Sequence, residues 1–288
     1  MFLSPKKQSK NIGSGAAFKP DEMFLLPKKQ SKMAKKLIDK QMKNHAPLNI
    51  GLIFDKYPTG EKKKSDKYPK VKGLKSHIML KKKNRLSLPS SLIDKNLYKS
   101  FKKRREALLD ALEEQKHNIE RFQLELKWRL AINLGAASVY ETSLLFHRNL
   151  SIPYIPGTAL KGATRHYALS KKSVEKLKDE IFGNQEQKGK VIFFDALPIL
   201  DYDRDLITLD IMNVHYRDYY QGNLLSESTS PNPIFFLAIE KGTKFSFALA
   251  SENEKMVKNT KKLLVEALKI HGIGAKTSVG YGYFKVIH

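Results

Sequence analysis

The sequence predicts an α+β fold of the ferredoxin-like type: an antiparallel sheet with helices on one face, insertions between its elements, and a basic N-terminal extension. Three observations carry this expectation. A period-two apolar run begins at Phe122. Helical patterns follow Pro156-Gly157 and span Met256 to Leu268. Strand-like runs separate and follow them, giving the order β-α-β, extra strands, β-α-β.

The extension is defined by charge. Up to Arg105 there are 29 Lys and Arg against 7 Asp and Glu; beyond it, 24 against 22. The chain's net +24 is therefore concentrated in its first third. Such a block favours a polyanion, whether nucleic acid, an anionic membrane or an acidic protein. Met1–Lys10 recurs at Met23–Lys32 with one difference, Ser4 against Leu26. Two copies make a local duplication, or place the true start at Met23, but do not make a solenoid. Residues 55–90, rich in Pro, Gly and Lys, read as loop. We place the boundary between a largely flexible extension, 1–97, and a folded domain, 98–288.

Within the domain, Tyr98 to Arg121 reads as a helix with an apolar stripe at Phe101, Leu108, Leu109, Leu112 and Ile119. From Phe122 to Leu134 apolar residues, Trp128 among them, alternate with polar ones, which predicts a strand with one buried face. Thr158 is placed as N-cap of a helix running to about Ser170, with Lys161 and Arg165 sharing a face. Val191–Phe194 is a short strand, and Ile207, Leu209 and Ile211 mark a weaker one. The runs Ile234–Ile239 and Phe245–Leu249, joined by Lys241-Gly242, read as a hairpin. The last helix ends at Gly272 as C′ glycine, and Tyr281–Ile287 closes the sheet.

The chemistry concentrates in two glycine-bearing segments. Gly272-Ile-Gly274-Ala-Lys276-Thr277-Ser278-Val-Gly280-Tyr-Gly282 combines glycines, a cation and two hydroxyls, the parts of a phosphate cradle. It is not a Walker A loop, because Ala275 stands where glycine is required, and it fails the dinucleotide fingerprint at Thr277. Pro156–Arg165 opens a helix whose first N–H groups, with Lys161 and Arg165, would attract a phosphate. His215 and Tyr216 lie among tyrosines, as a structural or RNA-stacking pair. Tyr219, Tyr220, Tyr281 and Tyr283 are further stacking candidates, whereas Phe235, Phe236, Phe245 and Phe247 read as core. The enzymatic alternative is a metal-independent endoribonuclease with His215 as general base and Lys161 or Arg217 steadying the phosphorane. A third is a protein–protein cap. Asp201-x-Asp203-x-Asp205 lacks the glycine and glutamate of a calcium loop, and there are no cysteines. No metal or cofactor is expected, nor a membrane, and the cytoplasm is the expected location.

Six segments in order resemble the RAMP superfamily of CRISPR proteins: Asn133–Thr142, Pro153–Arg165, Phe193-Phe-Asp-Ala-Leu-Pro198, Asp210-Ile-Met-Asn-Val-His-Tyr216, Pro231–Ile234 and Gly272–Gly282. The glycine loop is common to RAMP proteins. The Phe-Phe-Asp-Ala-x-Pro and Met-x-x-His-Tyr segments are similar to the family supplying the sixth subunit of the Cmr (type III-B) effector. The resemblance covers about Phe122 to His288. It implies a RAMP fold and a non-catalytic, RNA-binding place near the 3′ end of crRNA, helping to hold target RNA. It also implies the other Cmr RAMP subunits and the small helical subunit as partners. By the same resemblance Lys161, Arg165, Lys276 and Thr277 fall on the RNA-facing loop and helix start.

Overall fold

The computed structural model describes residues 80–82, 85–89, 93–136, 138, 142–171, 178–201, 204–214 and 232–287. They form two antiparallel sheets rather than one. The first has the order β1-β2-β6-β7, from β1 (Leu80–Lys82), β2 (Arg85–Pro89), β6 (Asp205–Val214) and β7 (Asn232–Ile239). The second has the order β4-β8-β3-β9, from β3 (Asn118–Leu126), β4 (Ile192–Phe193), β8 (Lys244–Ser251) and β9 (Phe284–Val286). Strand β5 (Leu197–Pro198) also pairs with β8. The helices are α1 (Lys95–Glu114), α2 (Gly157–Leu169), α3 (Lys178–Phe182) and α4 (Glu254–Ile270). None among the described residues is long and apolar enough to cross a membrane.

Helix α1 starts earlier than Tyr98 because Asp94 caps it, accepting from the N–H groups of Asn96 and Leu97 at 2.9 and 3.0 Å. It stops before Arg121 because Lys116 takes a left-handed φ of 66°. Ile119, expected on the helix, therefore belongs to β3. Residues 80–82 and 85–89 pair as strands where a loop was expected. Their lysine-rich alternation is too short to stand out from the basic segment around it.

Strand β3 is central, pairing with β8 along Asn118–Glu125 and with β9 along Leu124–Leu126. Glu120 and Phe122 face α4. Lys261 of α4 donates to Glu120 at 2.8 Å and lies 5.4 Å from the Phe122 ring centroid. Phe122 stacks on Phe247, with centroids 5.2 Å apart. Successive strand residues point to opposite faces. Arg121 accordingly reaches the other side, to Asp110 at 2.7 Å and Glu113 at 2.5 Å on α1. Helices thus cover both faces of this sheet, not one. Ala248 and Ala250 of β8, paired with Arg121 and Ile119, are buried on the same side.

The expected hairpin of β7 and β8 does not form. A tight turn does stand at Lys241-Gly242, where Thr243 N–H donates to Glu240 O at 3.3 Å and Gly242 has φ 76°. The chain uses it to cross between sheets: β7 pairs with β6, and β8 with β3. Local pattern fixes the turn but not each strand's partner. Leu130 bridges Ile239, and Ala131 bridges Ala275, so residues just after β3 join the two sheets. The core runs through this junction, with Leu130, Ile239, Phe245, Leu249, Leu264 and Leu268 fully buried. Phe236 and Phe247 are buried as expected of core residues.

Candidate functional site

The glycine segment is built onto that junction. Helix α4 ends at Gly272, whose φ of 71° turns the chain while its N–H donates to Ala267 O at 3.1 Å. Both arms of the loop are then pinned by backbone. Ile273 N–H donates to Gly282 O at 3.0 Å, Ala275 N–H to Ala131 O at 2.7 Å, and Gly282 N–H to Arg129 O at 2.8 Å. Gly274 and Gly282 are required by this packing. A Cβ on Gly274 would lie 2.4 Å from Ala131 O, and one on Gly282 only 1.9 Å from Ile273 O. Gly280 needs its φ of 96°, but a Cβ there would meet nothing within 4 Å.

Between the pinned arms stands an exposed turn. Lys276 holds a left-handed φ of 62°, a conformation that costs a non-glycine residue about 1–2 kcal/mol. A single 3₁₀ turn, Thr277–Val279, follows and leads to Gly280. Val279 and Gly280 N–H groups donate to Lys276 and Thr277 carbonyls at 3.1 and 3.0 Å. Among the described residues no backbone acceptor meets the N–H groups of Thr277 and Ser278. The Lys276 ammonium lies 5.8 Å from the Phe236 ring centroid and pairs with no carboxylate among the described residues. A cation beside two free N–H groups and two hydroxyls is the chemistry of an anion nest.

A buried network supports this turn from below. Arg129 Nη1 donates to Asp210 Oδ2 at 2.6 Å, and Tyr281 OH donates to the same oxygen at 2.6 Å. Arg129 Nε lies 3.8 Å from Glu240 Oε1. Tyr281, expected as a stacking residue, is thus tied to Asp210. Burial, reinforced by that hydrogen bond, pushes its phenol from 10.0 up to about 12. A raised folded value means a stabilising contribution that is complete below pH 10 and is lost as pH rises through about 12. Tyr281 should therefore ionise well above pH 10 in an absorbance titration. Tyr281→Phe should remove that late phase and cost about 1–2 kcal/mol in urea unfolding. Titration unchanged by the substitution would refute the assignment.

Helix α2 differs from expectation at its start. Pro156, not Thr158, is the N-cap, and it makes no side-chain bond. The capping oxygen comes from Asp195, whose Oδ1 accepts from Gly157 N–H at 2.7 Å. A carboxylate therefore stands where a phosphate was expected to meet the helix end. A Cβ on Gly157 would lie 2.1 Å from Phe193 O, so close packing demands that glycine. Arg165 is exposed and Lys161 half-buried, on the outer side of α2. The last turn of α2, rather than its first, meets the end of α4: His166 and Tyr167 each lie 5.5 Å from the His271 ring. His215 and Tyr216 lie outside the described residues, as do Tyr219, Tyr220 and Arg217. Asp195, Arg129 and Asp210 were not singled out from the sequence as site residues. The only signal for Asp195 and Asp210 was their place inside the Phe-Phe-Asp and Asp-Ile-Met segments.

The sequence pattern of the RAMP superfamily matches residues 123–285, more than half of the chain. The chain belongs to the RAMP superfamily. This RAMP protein is similar to the CRISPR system Cmr subunit Cmr6 of Pyrococcus furiosus. The two are 29% identical over 320 aligned residues, covering 82% of this chain and 94% of that protein. It is also similar to Cmr6 of Saccharolobus solfataricus, at 28% identity over 182 residues and 62% of each chain. Among solved structures, it resembles a chain in the cryo-EM structure of the Type III-B Cmr-beta complex bound to cognate target RNA. That likeness has a TM-score of 0.60 at 25% identity, over 70% of this chain and 69% of the other.

Proposed function

We propose that this RAMP protein is a structural, RNA-binding subunit of a type III-B CRISPR (Cmr) effector complex, without catalysis of its own, working in the cytoplasm in antiviral defence. The observation that carries the reading is the match along 94% of a relative named as a Cmr subunit. The likeness to a chain from an RNA-bound complex of that type supports it. Its partners are crRNA, near the 3′ end, together with target RNA, the other Cmr RAMP subunits and the small helical subunit.

The geometry suggests how RNA is held. The exposed turn Lys276–Gly280 offers a cation, free N–H groups and hydroxyls, which suit phosphate oxygens rather than base edges. Gly272 and Gly274 fix the turn's entry, and Lys161 and Arg165 extend the basic surface along α2. His215 and Tyr216 remain part of the proposed contact set. We read the second sheet with α2 and α4 as the ferredoxin-like unit. The order β9-β3-β8-β4, with helices after β3 and β8, supports this. The basic part up to residue 97 is the extension, and its hairpin β1–β2 docks on β6.

Phosphate contact predicts weak sequence preference and steep salt dependence. Lys276→Ala should weaken binding of single-stranded RNA. It should also lower the slope of log K against log salt by about 0.7 for the lost phosphate contact. Filter binding across a salt series measures both. An unchanged slope would remove Lys276 from the contact set, and no RNA binding by the wild-type chain would overturn the reading.

A further inference from the structure

The chain's single tryptophan stands where its sequence pattern would not put it. Alternation from Phe122 would bury Trp128 on the face that holds Leu126 and Leu130, which are 1% and 0% exposed. Trp128 is 40% exposed. The strand pairing with β8 ends before it, and residues 127–131 instead line the glycine loop. Lys127 N–H donates to Tyr283 O at 2.9 Å, and Gly282 N–H to Arg129 O at 2.8 Å. The indole therefore stands on the segment that borders the proposed phosphate-holding turn.

Its surroundings are cationic. Arg129 Cζ lies 5.4 Å and Lys241 Nζ 5.2 Å from the indole centroid. Arg129 is committed to Asp210, whereas Lys241 is exposed and pairs with no carboxylate among the described residues. Lys127, next to Trp128 in the sequence, and Lys244, one residue beyond Thr243, are also exposed. Two acids close to these residues in the sequence are engaged: Glu125 pairs with Lys285 at 2.9 Å, and Glu240 accepts from the Lys241 N–H at 3.0 Å. An exposed ring with the Lys241 ammonium over it differs from the centre of a protein interface, where lysine is depleted. It is the combination that holds a single strand, with a base on the ring and its phosphates on the cations.

We infer that Trp128 is a base-stacking site for an unpaired nucleotide of the RNA strand whose phosphates the Lys276–Gly280 turn holds, with Lys241 leaving the indole to meet a phosphate. This rests on the RNA-binding reading above. It adds a contact that reads the presence of a base, not only charge.

The test uses intrinsic fluorescence of the full chain, which reports on Trp128 alone because it is the only tryptophan. A short oligouridylate should quench it. Trp128→Ala should weaken oligouridylate binding by about 5- to 150-fold, while binding of inorganic polyphosphate stays unchanged. Trp128→Phe, which keeps a stacking ring and the fold, should retain most of the RNA affinity. If oligouridylate binds the wild-type chain without changing its fluorescence, and Trp128→Ala binds it equally tightly, the stack is wrong and the phosphate reading stands. If no RNA binds, both fall. Loss of affinity for another Cmr subunit, with RNA affinity intact, would instead make Trp128 a protein contact and overturn the inference.

Discussion

Gly282→Ala should destabilise the protein by about 3 kcal/mol or more and detach the glycine loop from the sheet junction. Two costs combine. At φ 75° an alanine carries the left-handed penalty of about 1–2 kcal/mol. Its Cβ would also stand 1.9 Å from Ile273 O, 3.0 Å from Ile273 C and 3.1 Å from Ile273 N. All three are backbone atoms, so no side-chain rotation relieves the clash. The arms must part, which puts at risk the bonds Ile273 N–H to Gly282 O and Gly282 N–H to Arg129 O, at about 1 kcal/mol each. Gly280→Ala is the matched control. Its φ of 96° brings a conformational cost, but no atom lies within 4 Å of the new methyl, so about 1–2 kcal/mol is expected. Gly162→Ala goes the other way. Gly162 lies inside α2 with open space around its Cβ position, and alanine should stabilise by about 0.5–1 kcal/mol. Urea midpoints should therefore fall in the order Gly162→Ala, wild type, Gly280→Ala, Gly282→Ala. Equal midpoints for the last two would show that the loop is not pinned as described.

What the sequence revealed, and what it hid, divides along the range of the interactions. The alternation Phe122, Leu124, Leu126 and the stripe Met256, Val257, Leu264, Leu268 lie within single elements, so period alone placed them. Gly272 could be read as a helix stop because its role is local. The partner of β7 could not, since a tight turn serves equally to close a hairpin or to cross between sheets. The capping of Gly157 by Asp195 spans 38 residues, and Arg129 to Asp210 spans 81, distances at which no periodicity operates. Trp128 was misplaced for a related reason. Alternation continues past Leu126 in the sequence, but β8 turns away at Thr243 and the glycine loop takes over as neighbour. The features that define the candidate site are thus mostly those in which distant segments meet.

Arg129→Met should cost about 3–5 kcal/mol, more than an exposed ion pair could account for. Both side chains of the Arg129–Asp210 pair are only 13% exposed, and they link the two sheets. Burial pushes the Asp210 carboxyl up. Hydrogen bonds from Tyr281 and Arg129, and from the Ile211 N–H, outweigh it and hold the group below its usual 3.8. A depressed folded value contributes stability that is complete above the unfolded value and is withdrawn as pH falls through the lower folded one. Removing Arg129 takes away one donor and the neighbouring charge while leaving burial in place. Acid unfolding should then begin at a higher pH in Arg129→Met than in the wild type. Arg129→Met/Asp210→Leu should cost less than the sum of the two single substitutions, because neither charge of the pair is left alone. A double-mutant cycle by urea unfolding should give a coupling of about 1–3 kcal/mol. Additive losses would show that the pair does not act as a unit. The same substitutions reach the loop through Tyr281: with Asp210 replaced by leucine the phenol loses its acceptor, so its ionisation should return from about 12 toward 10.0. Stability at the sheet junction and the seating of the Lys276–Gly280 turn should therefore change together, because one carboxylate serves both.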